Sequence, residues 1–168
     1  MRRLSRIGAL VVGLLAMQAG AAYAQQYRTY MFVPGIPGSS VAVSHKDWIE
    51  VLSMSQGVSS TKKSAACSDV SIMKSLDQAG PALWAAAAMH QVFPEVRIQV
   101  VAVGGDSSSV VYDIRLSNAR VTSSQTSASS ELPIESVSFS YASITLTFNS
   151  QDDTGVIVPG TPQTIACQ

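Results

Sequence analysis

The chain is predicted to be mainly β: a curled two-sheet antiparallel β-barrel carrying one short α-helix. Three observations predict this class. Apolar and polar residues alternate at period two across Val96–Val100 and Val110–Ser117, as strands with one covered face do. The one strongly helical stretch, GPALWAAAAMHQ from Gly80 to Gln91, lies between two strand patterns. Near the C-terminus the apolar alternation changes parity, with Val137, Phe139 and Tyr141 odd-numbered and Ile144, Leu146 and Phe148 even-numbered. A strand that keeps both sets on one core must bend, and such bends curl a sheet toward a barrel.

The first 24 residues are expected to lie outside the fold. Arg2, Arg3 and Arg6 form a basic start, Ile7–Met17 a short apolar run, and Ala22-Tyr23-Ala24 a small-residue cleavage pattern. Together these describe a secretory signal peptide over residues 1–24, cleaved between Ala24 and Gln25. The apolar run is too short for a spanning helix; a retained anchor is the alternative. A single domain over residues 25–168 is expected, exported and either periplasmic or secreted, with no membrane attachment after cleavage. Three of the 11 Lys and Arg residues fall within residues 1–24, which leaves 8 against 11 Asp and Glu. A mildly acidic chain without a basic cluster does not track phosphate backbones, so nucleic acid is not an expected partner.

Strands are expected over Tyr27–Val33, Trp48–Ser55 and Asp69–Leu76. The helix follows, with Gly80 as its N-cap, Pro81 at the first helical position and the alanine run supplying propensity. It extends over Pro81–Gln91 and carries no charged side chain. At about 100° per residue, Leu83, Trp84 and Met89 point in three directions, and a helix apolar all round must be covered on more than one side. The further cover is a second protein chain, or else the alanines are filler and only Leu83 and Trp84 matter. Leu83, Trp84 and Met89 are therefore the candidate subunit-contact residues.

Beyond the helix, Val96, Ile98 and Val100 face inward with Arg97 and Gln99 outward. The next strand places Val110, Tyr112, Ile114 and Leu116 inward, with Asp113, Arg115 and Ser117 outward. Gly104-Gly105-Asp106 joins these two strands as a hairpin turn. For the parity change, an extra residue near Ala142-Ser143 is the simplest device, and two separate strands are the alternative. Ser55–Ala66, Thr122–Glu131 and Gln151–Gly160 read as surface loops.

The two cysteines, Cys67 and Cys167, form an even pair in an exported chain, which favours a disulfide over two unrelated thiols. Catalytic chemistry is thin. His45 is expected to be solvated, and His90 to sit at the helix end, where an imidazolium complements the dipole. No serine lies in a nucleophile-elbow pattern, and no Cys-x-x-Cys or His-x-x-x-His ligand spacing occurs. Gly104-Gly105 precedes a strand, not a helix, and so is no phosphate cradle. Asp152-Asp153 reads as a solvated turn. No enzyme activity, cofactor or metal is expected.

With the elements placed, the mature chain resembles the haemolysin-coregulated protein (Hcp) family, the tube subunits of type VI secretion. YMFVPGIPGSS is similar to the family's first strand and Gly-rich turn, and WIEVLSMSQG to its second strand. VSIMKSLDQAGPALWAAAAMHQVFPEVRIQVVAVGGD follows the family order of strand, Asp-x-x-x-Pro-x-Leu, helix, Pro, strand and Gly-Gly. VVYDIRLSNARVTS and LPIESVSFSYASITLTFNSQDDTG resemble the closing strands. The resemblance implies a curled barrel with one flanking helix, six copies in a homohexameric ring, and rings that stack into a tube. It also implies secreted effector or tip proteins as possible partners. The export signal departs from the family, whose tube subunits are loaded in the cytoplasm. A periplasmic or secreted binding module of the same fold, outside any tube, is therefore the alternative function.

Overall fold

A computed structural model describes residues 26–60, 65–104, 107–128, 132–152 and 156–167. The expected signal segment with its Ala24–Gln25 junction, the turn pair Gly105-Asp106, Lys62-Lys63 and Asp153 lie outside the described residues. The elements run β1 (Gln26–Phe32), a 3-10 turn (Val43–His45), β2 (Ile49–Val51), β3 (Ser53–Ser55), β4 (Val58–Ser60), β5 (Ala65–Cys67) and β6 (Val70–Ser75). After them come α1 (Gly80–Ala88), β7 (Val92–Gly104), β8 (Ser107–Ser127), β9 (Ile134–Ser140), β10 (Ser143–Phe148), β11 (Ser150–Gln151), β12 (Ile157–Val158) and β13 (Gln163–Ala166).

The predicted class holds: antiparallel strands with, among the described residues, a single α-helix. The main sheet has the order β2-β1-β7-β8-β9-β6-β3, and β10 pairs with both β8 and β13. Its two end strands are halves of one segment that breaks at Leu52: β2 pairs with β1, whereas β3 pairs with β6. The Leu52 N–H donates to Met73 O of β6 at 2.7 Å, so the sheet curls back on itself there. Its interior is filled by inward residues from every wall, among them Met31, Ile49, Ile72, Ile98, Leu116, Val137 and Phe139, all buried. Burial on this scale, at about 25 cal/mol per Å² of apolar surface, is what holds a barrel of this size together.

The parity change is solved differently from expectation. β8 pairs with β7 from Ser107 to Arg120, and on its other side with β10 first and then β9. Ser117 faces Ser143 and Arg120 faces Ser140, so two residues separate the pairs on each strand: Asn118–Ala119 and Tyr141–Ala142. No extra residue is present at Ala142-Ser143. Both strands turn over together instead, with Asn118 in the left-handed region at φ 49°. Leu116 and Ile144 point inward before the corner, and Ala119, Val121 and Phe139 after it. Extra residues do occur, but on β8: Val111 opposite Val100/Val101, and Thr122 opposite Phe139/Ser138.

Three expected loops are partly ordered strand. Ser55–Ala66 contains β4 and part of β5, which pair as a two-stranded ribbon, and Gln151–Gly160 contains all but Ser150 of the β11–β12 ribbon. Thr122–Ser127 continues β8 against β9. The expected strand Trp48–Ser55 is split at Leu52, as described. Gly104 pairs with Ser107, as the hairpin reading requires.

Candidate subunit interface

Helix α1 starts one residue earlier than expected, with Ala79 as N-cap and Gly80 inside the helix. The Asp77 carboxylate accepts the Ala79 N–H at 2.9 Å, and Asp77 O accepts the Gly80 N–H at 3.1 Å. At the far end Gln91 N–H reaches Ala86 O and His90 N–H reaches Ala87 O. That is the paired bonding of a Schellman stop, with His90 in the left-handed position at φ 53° where glycine is usual. His90 is exposed there, and the helix ends at Ala88, three residues before Gln91.

The helix packs against β8 through a single stripe, Leu83 and Ala86, both 0% exposed, with Ala87 partly covered. Trp84 is 52% and Met89 68% exposed, and Val92 just beyond is also exposed. One of the three candidate contact residues is thereby corrected. Leu83 is consumed by its own subunit's core, because residues three apart from Ala86 share the inner stripe. Trp84 and Met89 remain on the open face. A second exposed apolar group lies where β2/β3, β6 and β9 meet: Leu52, Met73, Leu76 and Leu132.

Charge is absent from the helix but concentrated under its start. Lys74 of β6 is fully buried and pairs with Glu135 of β9, itself 2% exposed, and with Asp77 at 2.7 Å. Its Nζ also donates to Ser75 O at 2.9 Å. Glu135 lies against Gly80 so closely that a Cβ there would stand 2.5 Å from Oε1. Carboxylates at this position complement the positive end of the helix dipole. This cluster escaped the sequence reading, although one signal was present. Lys74 shares the parity of the inward-facing Val70 and Ile72 and so had to be covered.

A second polar cluster overturns the expectation for His45. Its side chain is 3% exposed, stacked on Tyr30 with centroids 4.5 Å apart and edge-on to Trp48 at 4.7 Å. Gln99 Nε2 donates to Asp113 Oδ1 at 2.7 Å, which leaves Gln99 Oε1 to accept from His45 Nε2 at 2.8 Å. Ser44 Oγ lies 2.8 Å from His45 Nδ1. Arg97 and Arg115 donate to Asp113 at 2.6 and 2.9 Å. Gln99 and Asp113 do point away from the barrel core, but both are only 6% exposed because the segment carrying His45 covers them. Burial alone would raise the Asp113 carboxyl; the hydrogen bonds from Arg97, Gln99 and Arg115 outweigh it and hold the group below the ordinary aspartate range. Ser44, His45, Gln99 and Asp113 form a chain of bonds that pins this segment to β7 and β8.

Cys67 and Cys167 form a disulfide, with Cα atoms 5.4 Å apart and 100 residues of separation. Among the described residues no group of three potential metal ligands occurs, and no helix is long and apolar enough to cross a membrane.

A fold of curled antiparallel strands with one flanking helix defines a class before any particular relative. Residues 30–148 match the family model described as "Type VI secretion system effector, Hcp", and the chain belongs to that family. Members of the family are structural proteins of the type VI secretion tube. Among solved structures, a type six secretion system protein superposes with a TM-score of 0.76 at 24% identity, covering 84% of this chain and 96% of that one. Hcp1 from Salmonella typhimurium gives 0.69 at 18% identity, with coverage of 82% and 99%. The secreted protein Hcp3 from Pseudomonas aeruginosa gives 0.65 at 19%, with coverage of 86% and 99%. At these identities the likeness establishes the fold. No curated protein matches the chain in sequence.

Proposed function

We propose that this chain is an exported, self-assembling building block of the Hcp type, forming a homohexameric ring through the open face of α1. The observation that carries the proposal is the division of a charge-free helix: Leu83 and Ala86 are buried at home, while Trp84 and Met89 stand 52% and 68% exposed. Large apolar side chains at that exposure, next to the exposed Val92, suit a protein interface better than water. The second apolar group around Leu52, Leu76 and Leu132 is a different surface, and two unlike patches that meet head to tail close into a ring where the rotation between copies closes. Conduit function needs no nucleophile, and the polar clusters described above are engaged in holding structure, so the chain is not an enzyme. Stacked rings and contact with secreted effector or tip proteins extend the same reading. Residues 1–24 supply the export signal, with Gln25 as the first mature residue, and the disulfide suits an oxidising compartment.

Native mass spectrometry of the mature protein tests the ring: a hexamer is expected at micromolar concentration, and a monomer throughout would end the proposal. Trp84→Glu should dissociate the assembly while the subunit stays folded. A second reading, a periplasmic or secreted binding module outside any tube, is favoured by the export signal alone. It requires that Trp84→Glu leave the particle size unchanged.

A further inference from the structure

The β4–β5 ribbon continues the β3–β6 pair past Gln56-Gly57 on one strand and Ser68-Asp69 on the other, yet it forms a sheet of its own with no ladder to the barrel. Among the described residues, three bonds tie it to the rest of the chain. The Tyr141 hydroxyl donates to Ser68 O at 2.9 Å, Gln56 Nε2 reaches the Tyr112 hydroxyl at 3.4 Å, and Cys67 is bonded to Cys167. The other end of the disulfide is also lightly held. β13 pairs with β10 alone, three of its four residues are exposed, and Cys167 N–H donates to Ala142 O at 2.9 Å. Between ribbon and barrel lies a mainly apolar cavity of about 230 Å³, walled by Val58, Tyr141, Ile144, Leu146 and Ile165. Both cysteines are half-buried.

We propose that the Cys67–Cys167 bond is a redox-operated latch that clamps the β4–β5 ribbon and β13 over this apolar cavity, and that its reduction opens both while the barrel stays folded. Three features separate a latch from a general staple. Neither cysteine is fully buried, and of the two only Cys167 packs against the core. The long β7–β8 ladder and the β1–β7 pairing involve neither the ribbon nor β13. Gly57, at the junction of β3 and β4, has only Ser68 Oγ within contact of its missing Cβ, so no core side chain packs against the junction on that side. The chemistry is ordinary exchange with a dithiol reductant. A thiolate attacks one sulfur and breaks the S–S bond, giving a mixed disulfide and releasing the other cysteine. The reductant's second thiol then resolves the mixed disulfide. Two electrons and two protons end on Cys67 and Cys167, and the reductant leaves as a disulfide. The opened state exposes the side chains of the cavity wall and the edge of β10, a surface ready for strand addition.

Hydrogen exchange read by mass spectrometry tests the latch on the protein before and after treatment with dithiothreitol, alongside the Cys67→Ser/Cys167→Ser variant without reductant. Amides of residues 57–60, 65–68 and 163–167 should exchange about tenfold faster or more in both open forms, equivalent to about 1.4 kcal/mol of easier local opening. Those of β7 and β8 should not change, and binding of an apolar fluorescent dye should rise. Unchanged protection of the ribbon and β13 in both open forms would overturn the proposal. So would a uniform loss across the barrel, which would make the bond a global staple. The latch is a property of one subunit, so the particle mass measured on the same samples judges the ring separately.

Discussion

Replacing Lys74 with methionine removes the only cation of the cluster beneath α1 and leaves Glu135 buried without it. Glu135 is 2% exposed, and its other side-chain bond is a long one from Thr126 Oγ1 at 3.4 Å. Breaking a buried pair from one side costs about 3–5 kcal/mol, because the surviving charge is neither solvated nor paired. Asp77 is 12% exposed and can turn toward water, so the cost is set by Glu135 and not by both acids. For a domain of this size 1 kcal/mol moves Tm by roughly 2–4 °C, so Lys74→Met should melt roughly 6–20 °C below the natural chain. Glu135→Leu alone should cost less, since Lys74 keeps Asp77 at 2.7 Å. The double variant Lys74→Met/Glu135→Leu should recover most of the loss, because a buried pair replaced by apolar groups of similar volume is often neutral. Urea and thermal unfolding followed by circular dichroism give all four corners of the cycle. A Lys74→Met loss below about 1 kcal/mol, or losses that simply add in the double variant, would refute the coupling inferred from the geometry.

Two further outcomes follow from the same packing. Leu83→Ala should destabilise the subunit by about 2–5 kcal/mol, measured as a shifted urea midpoint, because Leu83 is fully enclosed; a change within about 0.5 kcal/mol would mean that the helix is not seated on β8 as described. Asp113 has its carboxyl held below the ordinary value, so its contribution is present above the unfolded value of about 3.9 and is lost as pH falls through the lower folded value. The stability gap between the natural chain and Asp113→Asn should therefore be constant near neutrality and shrink below about pH 4. An equal gap at both ends of an unfolding series in pH would contradict this.

The strands were legible because one face of each is covered by the core within the same subunit, which stamps period two on Val96–Ile98 and Val110–Leu116. The helix was legible from its composition, and the disulfide from cysteine parity in a chain expected to be exported. What escaped the sequence depends on partners distant along it. His45 is buried because Gln99, 54 residues away, accepts its ring N–H, and because Tyr30 and Trp48 stack around it; nothing in Ser44-His45-Lys46 foretells that. The parity change looked like a fault of one strand because only one strand was in view. Its partner turns over at Asn118 in the same place, so the register survives without an added residue. Thr122–Ser127 has almost no apolar content, and it is strand only because β9 lies alongside. The position of Leu83 on the inner stripe was decided by Ala86, a residue too small to weigh in a hydrophobic pattern yet fully buried.

The separation of charge from helix explains how one element can be both firmly seated and free to bind. A helix usually carries the acidic residues that favour its own N-terminus, and they spill onto its surface. Here those carboxylates come from Asp77 before the helix and from Glu135 on β9, neutralised by Lys74 on β6. The start of α1 is thus fixed from below, its middle by Leu83 and Ala86, and its end by the paired bonds at His90 and Gln91. None of these anchors uses the outer face, so Trp84 and Met89 are not needed to hold the helix down. Folding therefore draws on the inner side chains of the nine-residue helix, and the proposed association would draw on Trp84 and on Met89 at its C-cap. It follows that Trp84→Glu and Lys74→Met should fail in opposite ways: the first should lose partners while keeping its melting temperature at concentrations where the natural chain is also dissociated, and the second should lose stability at every concentration.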